Sequence, residues 1–368
     1  MIRTDVAVIG LGVHGSAVSR ELAARKWRVL GVEQSPRDQV WGASGGPVRM
    51  FRENDPHRAS LGPLARESAE QWRLLSRESG RRLVRSVPAV LLATGADRRR
   101  PNILRARGRR LERVAPDDPL LRGLALADGW ACVRDPDCAL LDASASVLAL
   151  REGAGRAGAR LVFGQRVELG GDRPAERSTV TLRVGDEEVA AGTLLICAGA
   201  WTVRLPGWAR LPGLRVDPAH LQLATFRNGP GLPEPGAFYL VSHGDERFCV
   251  VPFGPEGRLQ FGHFAAPAGA SRLSAEELVR VTRRRDLEAL TRFYPRVGEA
   301  RNHTTVRAGY TQTPDGAFVL RWVAPRVATL VACSGVGFKY APAIARRVVA
   351  AVAGDDPPGD GVRVERWP

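Results

Sequence analysis

Lysine is nearly missing from this chain: of 54 basic residues, 52 are arginine and only Lys26 and Lys339 are lysine. Cysteine is sparse as well. The five cysteines, Cys132, Cys138, Cys197, Cys249 and Cys333, are odd in number and show no C-x-x-C spacing, which argues against both a disulfide framework and a zinc site. The six histidines (His14, His57, His220, His243, His263, His303) form no H-x-x-x-H or H-E-x-x-H pair, so no metal centre is expected. No stretch approaches the roughly 18 consecutive apolar residues of a spanning helix. The first residues read as a strand and not as a cleavable signal, so a cytoplasmic chain with no membrane contact is expected.

Acidic residues are outnumbered, 39 against 54, leaving a net charge of +15. Such a balance can mark a nucleic-acid partner. Here the arginines are strewn in short runs such as Arg98-Arg99-Arg100 and Arg283-Arg284-Arg285, with no RNP-like aromatic strand beside them, and the ratio to lysine points to coding bias. Against that background each lysine raises a chemical question. Lys26 closes the first helix, where any cation suits the dipole. Lys339 lies in the glycine-rich turn Ser334-Gly335-Val336-Gly337-Phe338-Lys339, a compact point charge in a segment of small residues.

The most informative segment is the first. An apolar run, Val6-Ala7-Val8-Ile9, leads into Gly10-Leu11-Gly12-Val13-His14-Gly15, and a second, Val29-Leu30-Gly31-Val32, ends on Glu33. This is strand, glycine turn, helix, strand and acid. The first glycine permits the tight turn, the second lets the backbone approach a pyrophosphate, and the third lets helix and strand pack closely. The helix N-terminus favours the phosphates, and Glu33 can accept a hydrogen bond from a ribose hydroxyl, as FAD and NAD both offer. A dinucleotide is the expected ligand.

Further along, residues 35–56 read as a polar irregular loop outside the core. A helix is expected over 61–79, with Leu64, Ser68, Trp72 and Leu75 on one face, then a strand over 83–93 and a basic insertion over 97–135. A helix at 142–159 precedes strands at 160–163 and 180–184, the latter with a short partner, and a buried strand from Gly192 ends in a second glycine turn at Gly199-Ala200-Trp201. Strands are expected at 221–226, 238–242, 248–252 and 258–264, a charged helix at 274–293, strands at 317–322 and 327–332, and a closing helix at 342–352. The tail from Gly354 reads as a surface strand or loose end. The fold class is therefore α/β (α+β): a Rossmann-like nucleotide domain assembled from discontinuous segments (1–82, 140–212, 305–368) and a β-sheet-rich substrate domain (83–139, 213–304).

Taken together, Gly10-x-Gly12-x-x-Gly15 with Glu33, Arg49 and Arg52, Gly199-Ala200-Trp201, Tyr310-Thr311-x-Thr313-Pro314-Asp315 with Phe318, and Ser334-Gly335-x-Gly337-Phe338-Lys339 resemble the monomeric sarcosine oxidase and N-methyltryptophan oxidase branch of the FAD-dependent, D-amino-acid-oxidase-like superfamily. The resemblance spans essentially the whole chain. It implies FAD lying across the nucleotide domain, held by Gly10, Gly12, Val13, His14, Gly15, Glu33, Gln34, Ser44, Arg49, Val167, Gly199, Trp201, Gly335, Gly337, Phe338 and Lys339. It also implies a substrate carboxylate gripped by Arg52 with Lys339, Arg49 beside the flavin ring, and Tyr310 lining the substrate cavity; an arginine fork is the strong form of such a clamp.

Three departures accompany the match. The cysteine that commonly tethers FAD falls on Ala308, so the cofactor is expected to be noncovalent. The oxygen-activating lysine falls on Gln260, which cannot stabilise developing superoxide charge as a cation does. Val336 stands where a histidine is usual, giving a drier pocket. The resemblance thus implies oxidation of a C–N bond in an amine-bearing carboxylate, with oxygen or another electron acceptor, in a monomer or simple homo-oligomer; a natural-product tailoring role fits the non-sarcosine pocket. A tRNA-modifying flavoenzyme, an NAD-dependent dehydrogenase and a cofactor-free binding module remain open at this point.

Overall fold

The computed structural model describes residues 1–53, 59–99, 110–167, 169, 179–225, 236–253, 258–265, 267–295, 302–355 and 361–365. His57, Phe226 and positions 100–109 of the basic insertion lie outside them, as do the side chains of His220, His303 and Ala308.

The chain opens with β1 (Ile2–Ile9), α1 (Val13–Ala24), β2 (Val29–Glu33), β3 (Val48–Arg52), α2 (Gly62–Ser79), β4 (Val84–Ser86) and β5 (Ala89–Ala93). It continues through β6 (Glu112–Arg113), β7 (Ala131–Asp135), β8 (Cys138–Asp142), α3 (Ala143–Arg156), β9 (Arg160–Phe163), β10 (Val180–Val184) and β11 (Glu187–Ile196). Next come β12 (Arg215–Thr225), β13 (Phe238–His243), β14 (Glu246–Phe253), β15 (Arg258–His263) and α4 (Ala275–Phe293). The last elements are β16 (Asn302–Gln312), β17 (Val319–Ala324), β18 (Val327–Val331), α5 (Ala341–Ala353) and β19 (Arg363–Glu365).

Two eight-stranded sheets and a three-stranded one organise these elements. The first runs β19-β17-β18-β11-β1-β2-β9, with β10 paired to β11. Its centre is parallel: β18, β11, β1, β2 and β9 all point one way. Strands buried on both faces must be apolar throughout, and Val6, Ala7, Val8, Leu194, Leu195, Ile196 and all of β18 are buried. One face is covered by α1, α2, α3 and α5, through Leu22, Trp72, Leu75, Leu150, Ile344 and Val348. The predicted α2 stripe holds, since Leu64, Ser68, Trp72 and Leu75 are all buried.

The second sheet runs β16-β12-β15-β14-β13-β5-β7-β6, and α4 packs its Ala289, Leu290 and Phe293 against Leu259, Phe261 and Phe248 on one side of it. A capping box starts α4: the Ser274 hydroxyl accepts from Glu277 N and the Glu277 carboxylate accepts from Ser274 N. β3, β8 and β4 form the small sheet.

Four expectations change. Residues 35–56 are not wholly outside the core, because β3 pairs with β8 and buries Val48 and Phe51; two apolar side chains among arginines gave no usable periodicity. The strand expected over 83–93 is two strands, broken at Val87-Pro88, where proline cannot donate to a ladder. The short partner of β10 and the strand from Gly192 are one ten-residue strand, β11, which runs on through Gly192. A β-carbon at Gly192 would sit 2.8 Å from the Asp5 carbonyl oxygen, so this glycine serves strand packing and starts no new element. Finally, the Tyr310 motif ends a long strand, β16, which pairs with β12 along its whole length and was not expected as a strand.

Candidate active site

The parallel centre of the first sheet decides where the site lies. Adjacent strands β18, β11, β1 and β2 end at the same edge, so the residues that follow them are brought together: the turn from Cys333, the turn from Cys197, the turn from Gly10, and Glu33. Ligands of open parallel sheets bind at the carboxyl ends of the strands.

The glycines of the first turn have separable roles. Gly10 has φ +89°, and a β-carbon there would meet the Cys197 carbonyl oxygen at 2.6 Å. A β-carbon at Gly15 would stand 1.8 Å from the Gly10 carbonyl oxygen, so the helix reaches the strand only without a side chain there. Gly12 caps α1 with no side-chain hydrogen bond, and the space a β-carbon would fill borders Ser44 Oγ at 3.0 Å. In the third turn, Gly335 has φ +72° and a β-carbon on Gly337 would lie 1.6 Å from the Ala332 carbonyl oxygen.

A cavity of about 1720 Å³ runs along this edge and across to the second sheet. Gly10, Gly12, Val13, His14, Glu33, Gln34, Ser44, Val167, Gly199 and Trp201 line one part of it. Arg49, Arg52, Gln260, Tyr310, Gly335, Gly337, Phe338 and Lys339 line another. Of the sequence-predicted site residues only Gly15 is absent from the wall, because it lies beneath the turn.

At the first end, Glu33 accepts hydrogen bonds from Leu11 N (2.7 Å) and Ser35 N (2.9 Å), which ties the end of β2 to the glycine turn. Val13 N donates to Ser44 Oγ at 3.0 Å. Burial draws the His14 imidazole down to about 4, opposed by its hydrogen bond with the Ala332 carbonyl, so it is neutral and links the first turn to the third. Arg151, which no sequence signal distinguished from the other arginines, is buried here. Its Nε donates to Leu11 O (3.0 Å), its Nη1 to Arg37 O and Gln39 O (both 2.8 Å), and its Nη2 stands 3.9 Å from Glu33 Oε2.

At the other end, Arg49 donates to the carbonyls of Val48 (2.8 Å), Ala43 (2.9 Å) and Gly45 (2.5 Å) and lies 5.5 Å over the Phe338 ring. Phe338 stacks on Trp72 at 5.9 Å, with ring planes 8° apart, and Trp72 Nε1 donates to the Lys339 carbonyl at 2.8 Å. Lys339 is 5 % exposed, and its Nζ donates to the Arg52 carbonyl at 3.1 Å. Burial lowers the Arg49 pKa and raises that of Tyr310, and each is opposed by the charge of the other. On the facing sheet, burial pushes Cys249 up to about 12, against the pull of the nearby Arg52 charge. Cys333, also not singled out by sequence, lines the wall between these groups, its thiol raised by burial.

A profile described as FAD dependent oxidoreductase matches residues 5–351. The chain belongs to that family. Over 361 residues it is 27% identical to the monomeric sarcosine oxidase of Streptomyces avermitilis, covering 92% of this chain and 91% of the relative. Among solved structures it is similar to the glycine oxidase of Geobacillus kaustophilus (TM-score 0.79, 22% identity, 98% of this chain and 97% of the other). It is also similar to NikD, described as an unusual amino acid oxidase essential for nikkomycin biosynthesis (TM-score 0.78, 21% identity, 98% and 96% covered).

The residues present fit the FAD of this family. The cradle over Gly12 has room that a β-carbon would fill, the acidic end of β2 lines the same cavity as the helix N-terminus, and the cavity joins both to a cationic far wall. The family thereby sets aside the nicotinamide and cofactor-free alternatives. Among the described residues no His, Cys, Asp or Glu cluster could hold a metal ion, and no helix is long and apolar enough to cross a membrane.

Proposed function

We propose that this chain oxidises the C–N bond of an amino acid, or of an N-substituted or cyclic amino acid, to an imine. FAD, when bound, supplies the two-electron acceptor for a hydride leaving the carbon next to nitrogen. The nitrogen lone pair becomes the second bond of C=N as that hydride leaves, giving an iminium that becomes the imine when its N–H proton is lost to water.

The rest of the chemistry belongs to this chain. Glu33 receives a ribose hydroxyl, and the amides at the start of α1 face the pyrophosphate. Arg52 and Lys339 hold the substrate carboxylate by charge-assisted hydrogen bonds, Arg49 and Tyr310 border the reacting centre, and the otherwise apolar wall of Leu91, Leu240 and Cys249 excludes water. With Ala308 at the usual tether position, FAD is held noncovalently. Gln260 in place of a cation makes oxygen a slow acceptor. The division into 1–82, 140–212 and 305–368 for FAD, and 83–139 and 213–304 for substrate, belongs to the same reading.

The observation that carries the proposal is the direct link from Lys339 Nζ to the Arg52 main chain, with both side chains on a cavity shared with the glycine turns. Anaerobic mixing of FAD-loaded enzyme with a panel of amino acids and N-methyl amino acids tests it. Bleaching of the flavin absorption by at least one class is expected; an unreduced flavin across the panel would refute the proposal.

A further inference from the structure

We infer that Gln260 recognises the substrate's nitrogen, so that the enzyme accepts primary and secondary amines and discriminates against tertiary ones. This rests on the amine-oxidising reading above and gives it a substrate class.

Strand alternation sets the direction. Leu259 and Phe261 belong to the core beneath α4, which places Gln260 and Gly262 on the opposite face, and both of these line the cavity. In the ladder with β14, Gln260 is opposite Val251 and Gly262 is opposite Cys249. Gln260 is therefore a diagonal neighbour of Cys249 on one face, and both line the cavity that Arg52 and Lys339 line. The amide thus shares a wall with the carboxylate anchor.

Its setting is costly. Gln260 is 5 % exposed, and its Oε1 is buried with no hydrogen-bond partner. A buried amide oxygen left unpaired is destabilising, and native structures rarely keep one without a reason. The terminal torsion of glutamine is broad and two-fold, so a turn about it presents the oxygen to the cavity without disturbing the strand. Leu91, Leu240 and Cys249, which line the same cavity, add no strong acceptor of their own.

A substrate held by its carboxylate at Arg52 and Lys339 carries its nitrogen one carbon away. As the free base, the form that can lose a hydride, a secondary amine has one N–H and a primary amine two; a tertiary amine has none. An N–H donated to Gln260 Oε1 satisfies the orphaned acceptor and directs the nitrogen lone pair. A substrate without an N–H leaves the amide buried and unpaired, and that asymmetry is the basis of selection.

The test uses FAD-loaded enzyme and a pair of five-membered-ring probes, proline and tetrahydrofuran-2-carboxylate, in which oxygen replaces the N–H. Binding is read from perturbation of the flavin spectrum. Wild type should hold proline about tenfold more tightly or better, the scale of one buried hydrogen bond. Gln260→Leu should bring the two probes to within about threefold by weakening proline alone, and Gln260→Glu, which keeps an acceptor, should retain the preference. In turnover, an N-monomethyl amino acid that reduces the flavin should exceed its N,N-dimethyl counterpart in wild type, with the gap closing in Gln260→Leu. Equal binding of the probes by wild type, or an undiminished preference in Gln260→Leu, would overturn the inference. If Gln260→Leu loses FAD, the wild-type ratio and Gln260→Glu still decide. If neither carboxylate perturbs the wild-type flavin, it is the anchor that fails, and the inference falls with it.

Discussion

At the scale of single residues, Lys339 stood out because the chain has almost no other lysine, and it proves to be a buried cation bonded to the main chain of Arg52. Arg49 and Arg52 stood out only through the motifs around them, since fifty other arginines carry the same chemistry. Arg151 was illegible for the same reason: nothing in the sequence says that this one guanidinium is surrounded by carbonyls. The orphaned oxygen of Gln260 was invisible too, because lack of a partner is a property of packing. Two outcomes belong here. Arg52→Ala should weaken binding of an amino-acid carboxylate by about 100-fold, the value of a charge-assisted pair, with FAD content unchanged. Gln260→Lys should raise the rate at which oxygen reoxidises the photoreduced flavin, measured by stopped flow; an unchanged rate would mean that the added cation does not lie near the electron-transfer path.

Among the elements, long periodic or fully apolar segments were legible and paired segments were not. β1, α1 and α2 follow from pattern alone, whereas β3 and β16 exist because β8 and β12 lie beside them. Gly192 looked like punctuation and is instead a close contact inside β11. Gly15→Ala tests the first turn: its β-carbon would meet main-chain atoms, which cannot rotate away, so a loss of about 2 kcal/mol or more and poor FAD retention are expected in thermal melts. Trp72 in α2 supports the far turn from behind. Trp72→Phe preserves a ring against Phe338 but removes the hydrogen bond to the Lys339 carbonyl. It should raise the Kd of a carboxylate probe about three- to tenfold at unchanged FAD content. A fall in Tm with no change in that Kd would mean Trp72 only fills space.

For the whole molecule, three glycine turns in separated segments already implied one nucleotide domain built from all of them; which edge they share follows only from the order β18-β11-β1-β2 and its parallel sense. His14 spans two of these turns, which makes the assembly sensitive to acid. Its folded pKa, about 4, lies below the unfolded value of 6.5, so the unfolded chain binds the proton more readily between the two. Stability from this group is complete above that window and is lost as pH falls through it, by up to about 3 kcal/mol. Melting temperature should decline from pH 6.5 toward 4, and His14→Gln should flatten the slope.

The central claim is that a bound flavin shares its cavity with a carboxylate anchor made by Arg52 and Lys339. Titration of the FAD-loaded protein with a simple carboxylate, followed in the visible flavin band, tests this most directly. A saturable spectral shift in wild type that is lost in both Arg52→Ala and Lys339→Met is the predicted result. A shift that survives in both variants at the same affinity would contradict the account.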